Sequence, residues 1–334
     1  MNEGVTLRQM AAFCFAALSA PAVTVCAGQS WQWTLAASLL AATAEAGILL
    51  LWRQAGQTLP RAAVAVWGKI PGGILLLLAA AFAVLTMARF ALVTDEAFPE
   101  TEVRPFVPLT LLGVTAWSCS RGRTAAIRAV CVAAMFLIAL YGTIFFFAAP
   151  DAVPERLLSP PSPPSWRMAC LTLPVWAVYL AAPDGKRGPV PWVYAGALLL
   201  LPPAVSAICA AVPGSGGSFY VMAESVKVLS VAQRIEPLVS AALTVGWYAA
   251  LCLPALAAGE VFDSLGGKRR AGAVGACALA AAGAWGKPSV CPEIFLIGAA
   301  IFCIFFPALT LGIAALKKTE KKIKKTVDNR DNRW

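Results

Sequence analysis

The chain has 334 residues, of which 59% are hydrophobic and 13% are charged, and its formal net charge is +10. A soluble domain of this size needs more polar surface than this composition supplies, which excludes a soluble globular protein. The absence of histidine excludes a Ser-His-Asp triad, a His-ligated zinc site and a histidine proton relay. The ten cysteines show neither a CxxC pair nor metal-ligand spacing. We therefore expect a membrane protein that is not an enzyme and needs no cofactor.

Apolar segments long enough to cross a membrane recur along the whole sequence. A transmembrane helix needs about 20 predominantly apolar residues. Ten segments have roughly this length, and we number them as spans 1 to 10: residues 7–27, 31–52, 72–94, 104–120, 124–149, 167–183, 189–212, 235–259, 270–286 and 289–316. The sequence predicts an all-α, polytopic transmembrane helical bundle.

The basic residues are distributed very unequally between the two sides of this bundle. Of the 27 Lys and Arg residues, 20 lie in the amino terminus, in the loops on one side, or in the carboxyl-terminal tail. By the positive-inside rule, that side and both termini are cytoplasmic, so the number of spans is even. The positive charge therefore reflects topology and contact with membrane lipid, and we expect no nucleic-acid partner.

Ten spans favour a five-plus-five inverted repeat, a transporter architecture in which the first span of each half is often interrupted in mid-membrane. Spans 1 and 6 each contain a proline, Pro21 in LSAPAV and Pro174 in LTLPVW. Proline removes a backbone hydrogen bond and frees a carbonyl that can face a ligand. Spans 7, 8 and 10 also contain proline, so a purely structural role for both residues stays open.

The resulting division of the chain is one transmembrane domain with two halves. We expect repeat one at about 7–149, a Pro-rich connector at about 150–166, repeat two at about 167–316 and a basic cytoplasmic tail at 317–334. The polar and helix-breaking residues of spans 1, 6 and 8 are candidates for lining a central ligand cavity: Ser19, Pro21, Thr172, Pro174 and Thr244.

Two ionisable residues are predicted to lie at membrane depth. Glu45 in span 2 must be protonated, paired or exposed to a wet cavity, because an unpaired carboxylate is costly there. A hydrogen bond to a neighbouring helix is the simpler role for it, and proton coupling or gating is the functional alternative. Arg89 lies near the outer end of span 3, where its side chain can extend to the interface.

The loops carry short motifs whose order and spacing resemble the spore germination permease family, the B-type membrane subunit of nutrient germinant receptors. Those motifs are Arg8-Gln9, Pro60, Gly68-Lys69 with Gly72, Phe98-Pro99-Glu100-Thr101 and Arg234-Ile235-Glu236. The resemblance implies a fold of the amino acid-polyamine-organocation superfamily, with ten helices in two inverted repeats. It also implies a location in the inner membrane of the spore, A-type and C-type subunits as partners, and a small nutrient ligand such as an amino acid.

Two alternatives to a germinant receptor remain open. One is a secondary transporter of amino acids or related small solutes, in which Glu45 is a possible coupling group. The other is a degenerate paralogue that assembles with its partners but binds nothing. This second alternative arises because span 1 has LSAPAVTVCAG where the family has a Gly-rich unwound stretch that ends in Leu-Pro.

Overall fold

The computed structural model describes residues 7–97, 106–158, 165–180, 190–213, 219–225, 236–286 and 291–331, and this part of the chain is helical with no strand. The predicted all-α class is therefore confirmed. The α-helices are α1 Leu7–Pro21, α2 Trp31–Ala55, α3 Leu59–Trp67, α4 Lys69–Ala97, α5 Phe106–Arg121, α6 Arg123–Ala148, α7 Ala177–Leu180, α8 Val190–Ala211, α9 Phe219–Ser225, α10 Glu236–Ser264, α11 Arg269–Gly286, α12 Pro292–Ala299 and α13 Phe306–Asp331.

Shorter helical elements with other hydrogen-bonding periods complete the described residues. Two are π-helices, Ala22–Cys26 after α1 and Ala300–Phe305 between α12 and α13. The others are 3-10 helices, at Ala149–Asp151, Pro154–Leu158 and Trp166–Trp176.

Each predicted span coincides with a helical segment of the described residues. Spans 1 to 5 are α1 with its π-helix, α2, α4, α5 and α6. Span 6 is the long 3-10 helix followed by α7, and spans 7 to 10 are α8, α10, α11 and the α12–π–α13 segment. Within the described part of the chain, six segments are apolar and long enough to cross a membrane: Gln9–Cys26, Trp31–Ala55, Lys69–Thr94, Arg123–Asp151, Leu238–Ser264 and Pro292–Glu320. The chain is a multi-pass membrane protein, and the orientation of its termini stays a prediction.

The two halves of the chain pack together in matching pairs of spans. Span 2 contacts span 7, span 4 contacts span 9, span 3 contacts span 8, and span 1 contacts span 6. Span 1 also contacts span 7, and its counterpart span 6 contacts span 2. Because each half has an odd number of spans, the second half runs in the opposite direction, so these exchanged contacts fit an inverted repeat. The exact limits of the two halves stay a prediction.

The predicted connector between the halves begins as short 3-10 turns at the end opposite the Arg-rich loops. The indole N–H of Trp31 donates to the Leu157 carbonyl at 2.9 Å, and the Val153 N–H donates to the Ala211 carbonyl at 3.0 Å. These bonds hold the turns against spans 2 and 7. Residues 159–164 of the connector lie outside the described residues.

The family motif between spans 2 and 3 has a structural role. Pro60 occupies the first turn of α3, a position where its missing N–H costs nothing. Gly68 ends α3 at φ +89°, which favours glycine, and a Cβ at Gly72 would lie only 2.8 Å from the Ala63 carbonyl oxygen. The motif therefore builds the tight turn that folds α3 onto α4. The Phe98 to Thr101 motif and Arg234-Ile235 lie outside the described residues.

Candidate binding site

The prolines predicted to interrupt spans 1 and 6 coincide with departures from α-helical geometry. Pro21 is the last residue of α1, and the π-helix Ala22–Cys26 follows it directly. Pro174 lies inside the 3-10 helix Trp166–Trp176. Within the described residues, these two spans combine α-helix with a π-helix or a 3-10 helix, and they do not unwind. Such irregular turns frequently occur at functional sites.

The prolines of spans 7 and 8 behave differently. Pro202 and Pro203 lie within the continuous helix α8, and Pro254 lies within the continuous helix α10. In span 10, the π-helix Ala300–Phe305 ends just before Pro307. Among the described residues, the spans with π-helical or long 3-10 segments are therefore spans 1, 6 and 10, and span 6 contacts both of the others.

Next to these irregular helices, aromatic side chains from four spans form one buried group, which we call the aromatic cluster. It consists of Phe82 and Phe90 of span 3, Trp176 and Tyr179 of span 6, Trp247 of span 8, and Phe295 and Phe302 of span 10. The Phe82 ring is central, with its centroid 6.4 Å from that of Trp176 and 5.6 Å from that of Phe302. A Cβ on Gly298 would lie 2.6 Å from the Phe82 ring, so the glycine at this position leaves room for the ring.

Two hydrogen-bond donors in the aromatic cluster have no protein partner. Trp176 is 1% exposed and Trp247 is 0% exposed, and the indole N–H of each lacks an acceptor among the described residues. Leaving a buried donor unpaired costs about 1–3 kcal/mol. An acceptor on a bound solute would remove this cost, which makes the two indoles candidate ligand contacts.

Glu45 lies near Cys303, which follows Phe302 of the aromatic cluster in span 10. It is 4% exposed, and its Oε1 atom has no hydrogen-bond partner among the described residues. Glu45 and Thr172 both lie close enough to Cys303, in the π-helix of span 10, to interact with its side chain. The Tyr179 hydroxyl donates to the Phe302 carbonyl in the same π-helix at 3.2 Å. The structure thus places Glu45 and Thr172, which the sequence singled out separately, close to the same side chain, that of Cys303.

The candidate residues of spans 1 and 8 separate into two groups. Ser19 is buried, its hydroxyl donates to the Ala16 carbonyl at 2.7 Å, and it lies beside Gly246 of α10. Thr244 is exposed, and its hydroxyl donates to the Ser240 carbonyl. It therefore differs from Ser19, which is buried, and from Thr172, which is partly buried. Ligand contact by any of these residues stays a prediction.

Arg89, which the sequence singled out, lies next to aromatic residues that the sequence pattern missed. Arg89 is partly buried on α4, directly before Phe90 of the aromatic cluster. The aromatic cluster consists of neither polar nor helix-breaking positions of the kind that the sequence singled out. One signal was available: Trp176 and Trp247 lie inside their spans, whereas tryptophan in membrane proteins favours the span ends.

Comparisons with known proteins identify the type of fold. No protein-family model and no curated protein matches the sequence. Among solved structures, the chain is similar to Mhp1, a nucleobase-cation-symport-1 family transporter in a closed conformation with bromovinylhydantoin bound. The TM-score is 0.67 and the sequence identity is 15%, over 92% of this chain and 77% of that chain. At this identity the similarity shows the fold alone, which is that of a membrane transporter.

Proposed function

We propose that this protein is a secondary transporter that binds a small planar solute in the aromatic cluster. The observation that carries the proposal is the pair of unpaired indole N–H groups of Trp176 and Trp247 among stacked rings. Aromatic faces attract a planar group, and the two donors suit a solute with carbonyl or similar acceptors. The transporter fold supports the same class of function.

The described conformation is closed around this site. Phe82 and Trp176 stack on each other, and Phe82 also stacks on Phe302 of span 10. A solute must therefore separate these rings when it binds. Because the rings belong to spans 3, 6 and 10, solute binding would alter the packing between the halves, as alternating access requires.

Glu45 is the proposed coupling group of the transport cycle. Its carboxyl group is buried beside the two irregular helices of spans 6 and 10, which are the elements that the solute would displace. A carboxyl group that is buried in one conformation and wetted in another can gain and lose a proton during the cycle. We expect Glu45→Gln to retain solute binding and to abolish uptake driven by a proton gradient in proteoliposomes. Uptake equal to that of the wild type would overturn this role.

The binding site is tested by removing one donor at a time. Purified protein in detergent is screened for thermal stabilisation with amino acids, nucleobases and hydantoins as probes. For a stabilising probe, we expect Trp176→Phe and Trp247→Phe to weaken binding about tenfold, because each loses one hydrogen bond to the solute. Trp285→Phe is the control, since Trp285 is 68% exposed on α11. Equal affinity in all three variants would place the solute elsewhere.

A nutrient germinant receptor subunit is the second candidate function. The order of the loop motifs favours it, and Pro60, Gly68 and Gly72 form the ordered turn described above. In this case the aromatic cluster senses a nutrient such as an amino acid, and A-type and C-type subunits receive the signal in the spore inner membrane. Binding without uptake in proteoliposomes, and failure of spores lacking the protein to germinate on the bound nutrient, would favour the receptor. Specific binding of any solute would exclude the hypothesis of a degenerate paralogue.

A further inference from the structure

A cavity of about 490 Å³ lies at the Arg-rich end of the bundle and shares no residue with the aromatic cluster. It is formed where the α5–α6 turn meets the α10–α11 turn. Its charged lining consists of four arginines and one carboxylate: Arg121, Arg123, Arg269, Arg270 and Asp263. The cavity is therefore strongly basic.

Ion pairs neutralise only part of this charge. The Glu260 carboxylate forms ion pairs with Arg123 at 2.9 Å and with Arg269 at 3.1 Å, and the Asp263 carboxylate forms one with Arg269 at 2.9 Å. Arg121 and Arg270 have no carboxylate partner in the part of the chain that the structure describes. Two guanidinium groups thus remain available to an anion.

The α5–α6 turn brings the guanidinium groups together. Gly122 has φ +111°, a conformation that glycine adopts readily, and it places Arg121 and Arg123 on either side of a one-residue turn. The Nη2 atom of Arg270 would lie 3.5 Å from a Cβ at Gly122. Arg270 of α11 therefore reaches across to the turn that carries Arg121 and Arg123.

The helix termini add to the positive potential. Arg123 begins α6 and Arg269 begins α11, and neither helix has an acidic residue in its first turn. The positive end of a helix dipole disfavours cations and favours anions. An anion in the cavity would relieve this unfavourable placement of arginines at two helix N-termini, in addition to pairing with Arg121 and Arg270.

We infer that this cavity binds a phosphate group, supplied by an anionic lipid headgroup or by a soluble phosphate compound. Guanidinium groups match phosphate oxygens with two parallel hydrogen bonds, and basic pockets between membrane helices suit lipid headgroups. The cavity also borders the lipid-facing surface. Arg121 lies 5.3 Å from the ring centroid of Trp117, which is 63% exposed on α5.

The test uses native mass spectrometry of the full chain in detergent, with phosphatidylglycerol and phosphatidylcholine added separately. We expect Arg121→Gln/Arg270→Gln to retain about tenfold less phosphatidylglycerol than the wild type. Both side chains are exposed, so the substitutions leave the core intact. The control is Arg61→Gln/Lys69→Gln, which removes the same charge from exposed residues of the same end without touching the cavity. We expect the control to retain phosphatidylglycerol as the wild type does.

A second arm identifies the source of the phosphate. Inorganic phosphate is titrated against the thermal unfolding midpoint of the wild type and of both double variants. If phosphate stabilises the wild type and the control, and only Arg121→Gln/Arg270→Gln loses this stabilisation, the site is supported. If the wild type also retains no phosphatidylglycerol, the site is assigned to soluble phosphate. The inference would be overturned if both double variants lost phosphatidylglycerol or phosphate binding equally, or if the wild type retained phosphatidylcholine as well as phosphatidylglycerol. It would also be overturned if the wild type responded to neither lipid nor phosphate.

Discussion

At the scale of single residues, Gly246 sets how closely spans 1 and 8 approach. A Cβ on Gly246 would lie 2.6 Å from the Ala20 Cβ and 3.2 Å from the Ser19 hydroxyl oxygen. Small residues at such crossings let membrane helices pack closely. We expect Gly246→Ala to destabilise the protein by about 1–3 kcal/mol through overpacking, measured as a lower thermal unfolding midpoint in detergent.

Gly275 provides the matched control for this prediction. It lies in α11, and a Cβ built there meets no atom within 4 Å. Alanine in a helix interior is favoured over glycine by about 0.5–1 kcal/mol, so Gly275→Ala should leave the midpoint unchanged or raise it. If both variants behaved alike, the close approach of spans 1 and 8 would not limit stability.

The candidate site was only partly predictable from its residues. Buried ionisable and helix-breaking residues stand out in an apolar sequence, which is why Glu45, Pro21 and Pro174 could be selected. The face of α10 could not be predicted, because this helix is apolar on all sides, and so Thr244 was grouped with buried residues although it is exposed. The aromatic cluster depends on the register between spans distant in sequence, and no local pattern records that register.

At the scale of whole elements, span 6 shows how its conformation sets the length of a short predicted span. Its described part has 11 residues in the 3-10 helix and 4 in α7. With rises of about 2.0 Å and about 1.5 Å per residue, it extends about 28 Å, close to the hydrocarbon thickness of about 30 Å. A regular α-helix of the same residues would extend only about 22 Å.

Pro174 is the residue of this 3-10 helix that most directly opposes α-helical hydrogen bonding, since it lacks an N–H. We expect Pro174→Ala to let the segment relax towards α-helix, which rotates Trp176 out of its contact with Phe82 and weakens solute binding about tenfold. Binding is measured with the stabilising probe found for the wild type. Pro254→Ala is the control, because α10 is already α-helical around Pro254. Similar affinity losses in both variants would show that proline removal acts through general destabilisation.

At the scale of the whole molecule, apolar length and charge asymmetry sufficed to predict ten spans, because both follow directly from the cost of placing polar groups in lipid. The irregular helices were indicated only by their prolines. The ion pairs at the Arg-rich end could not be predicted, since Arg123 and Glu260 lie in different halves and meet only through the packing of α6 on α10. The Nη1 atom of Arg123 also donates to the Leu180 carbonyl at the end of span 6.

These contacts make Glu260 the central carboxylate of one end of the bundle. Its carboxylate pairs with arginines of α6 and α11, and Arg123 extends the connection to α7, so this network links four helices. Breaking a partly buried ion pair by neutralising one partner leaves the other charges uncompensated. We expect Glu260→Gln to destabilise the closed packing of this end by about 1–3 kcal/mol.

Opening of the Arg-rich end of the bundle can be measured at Cys119, which is buried and lines the basic cavity. We expect Glu260→Gln to increase the rate at which a membrane-permeant maleimide modifies Cys119, measured by peptide mass spectrometry, because α6, α10 and α11 separate more often. The control is Asp263→Asn, whose carboxylate pairs, among the described residues, only with the partly exposed Arg269 and contributes little, as exposed ion pairs do. Unchanged labelling in Glu260→Gln would mean that apolar packing alone closes this end, and the ion pairs would then have no part in controlling access from the Arg-rich side.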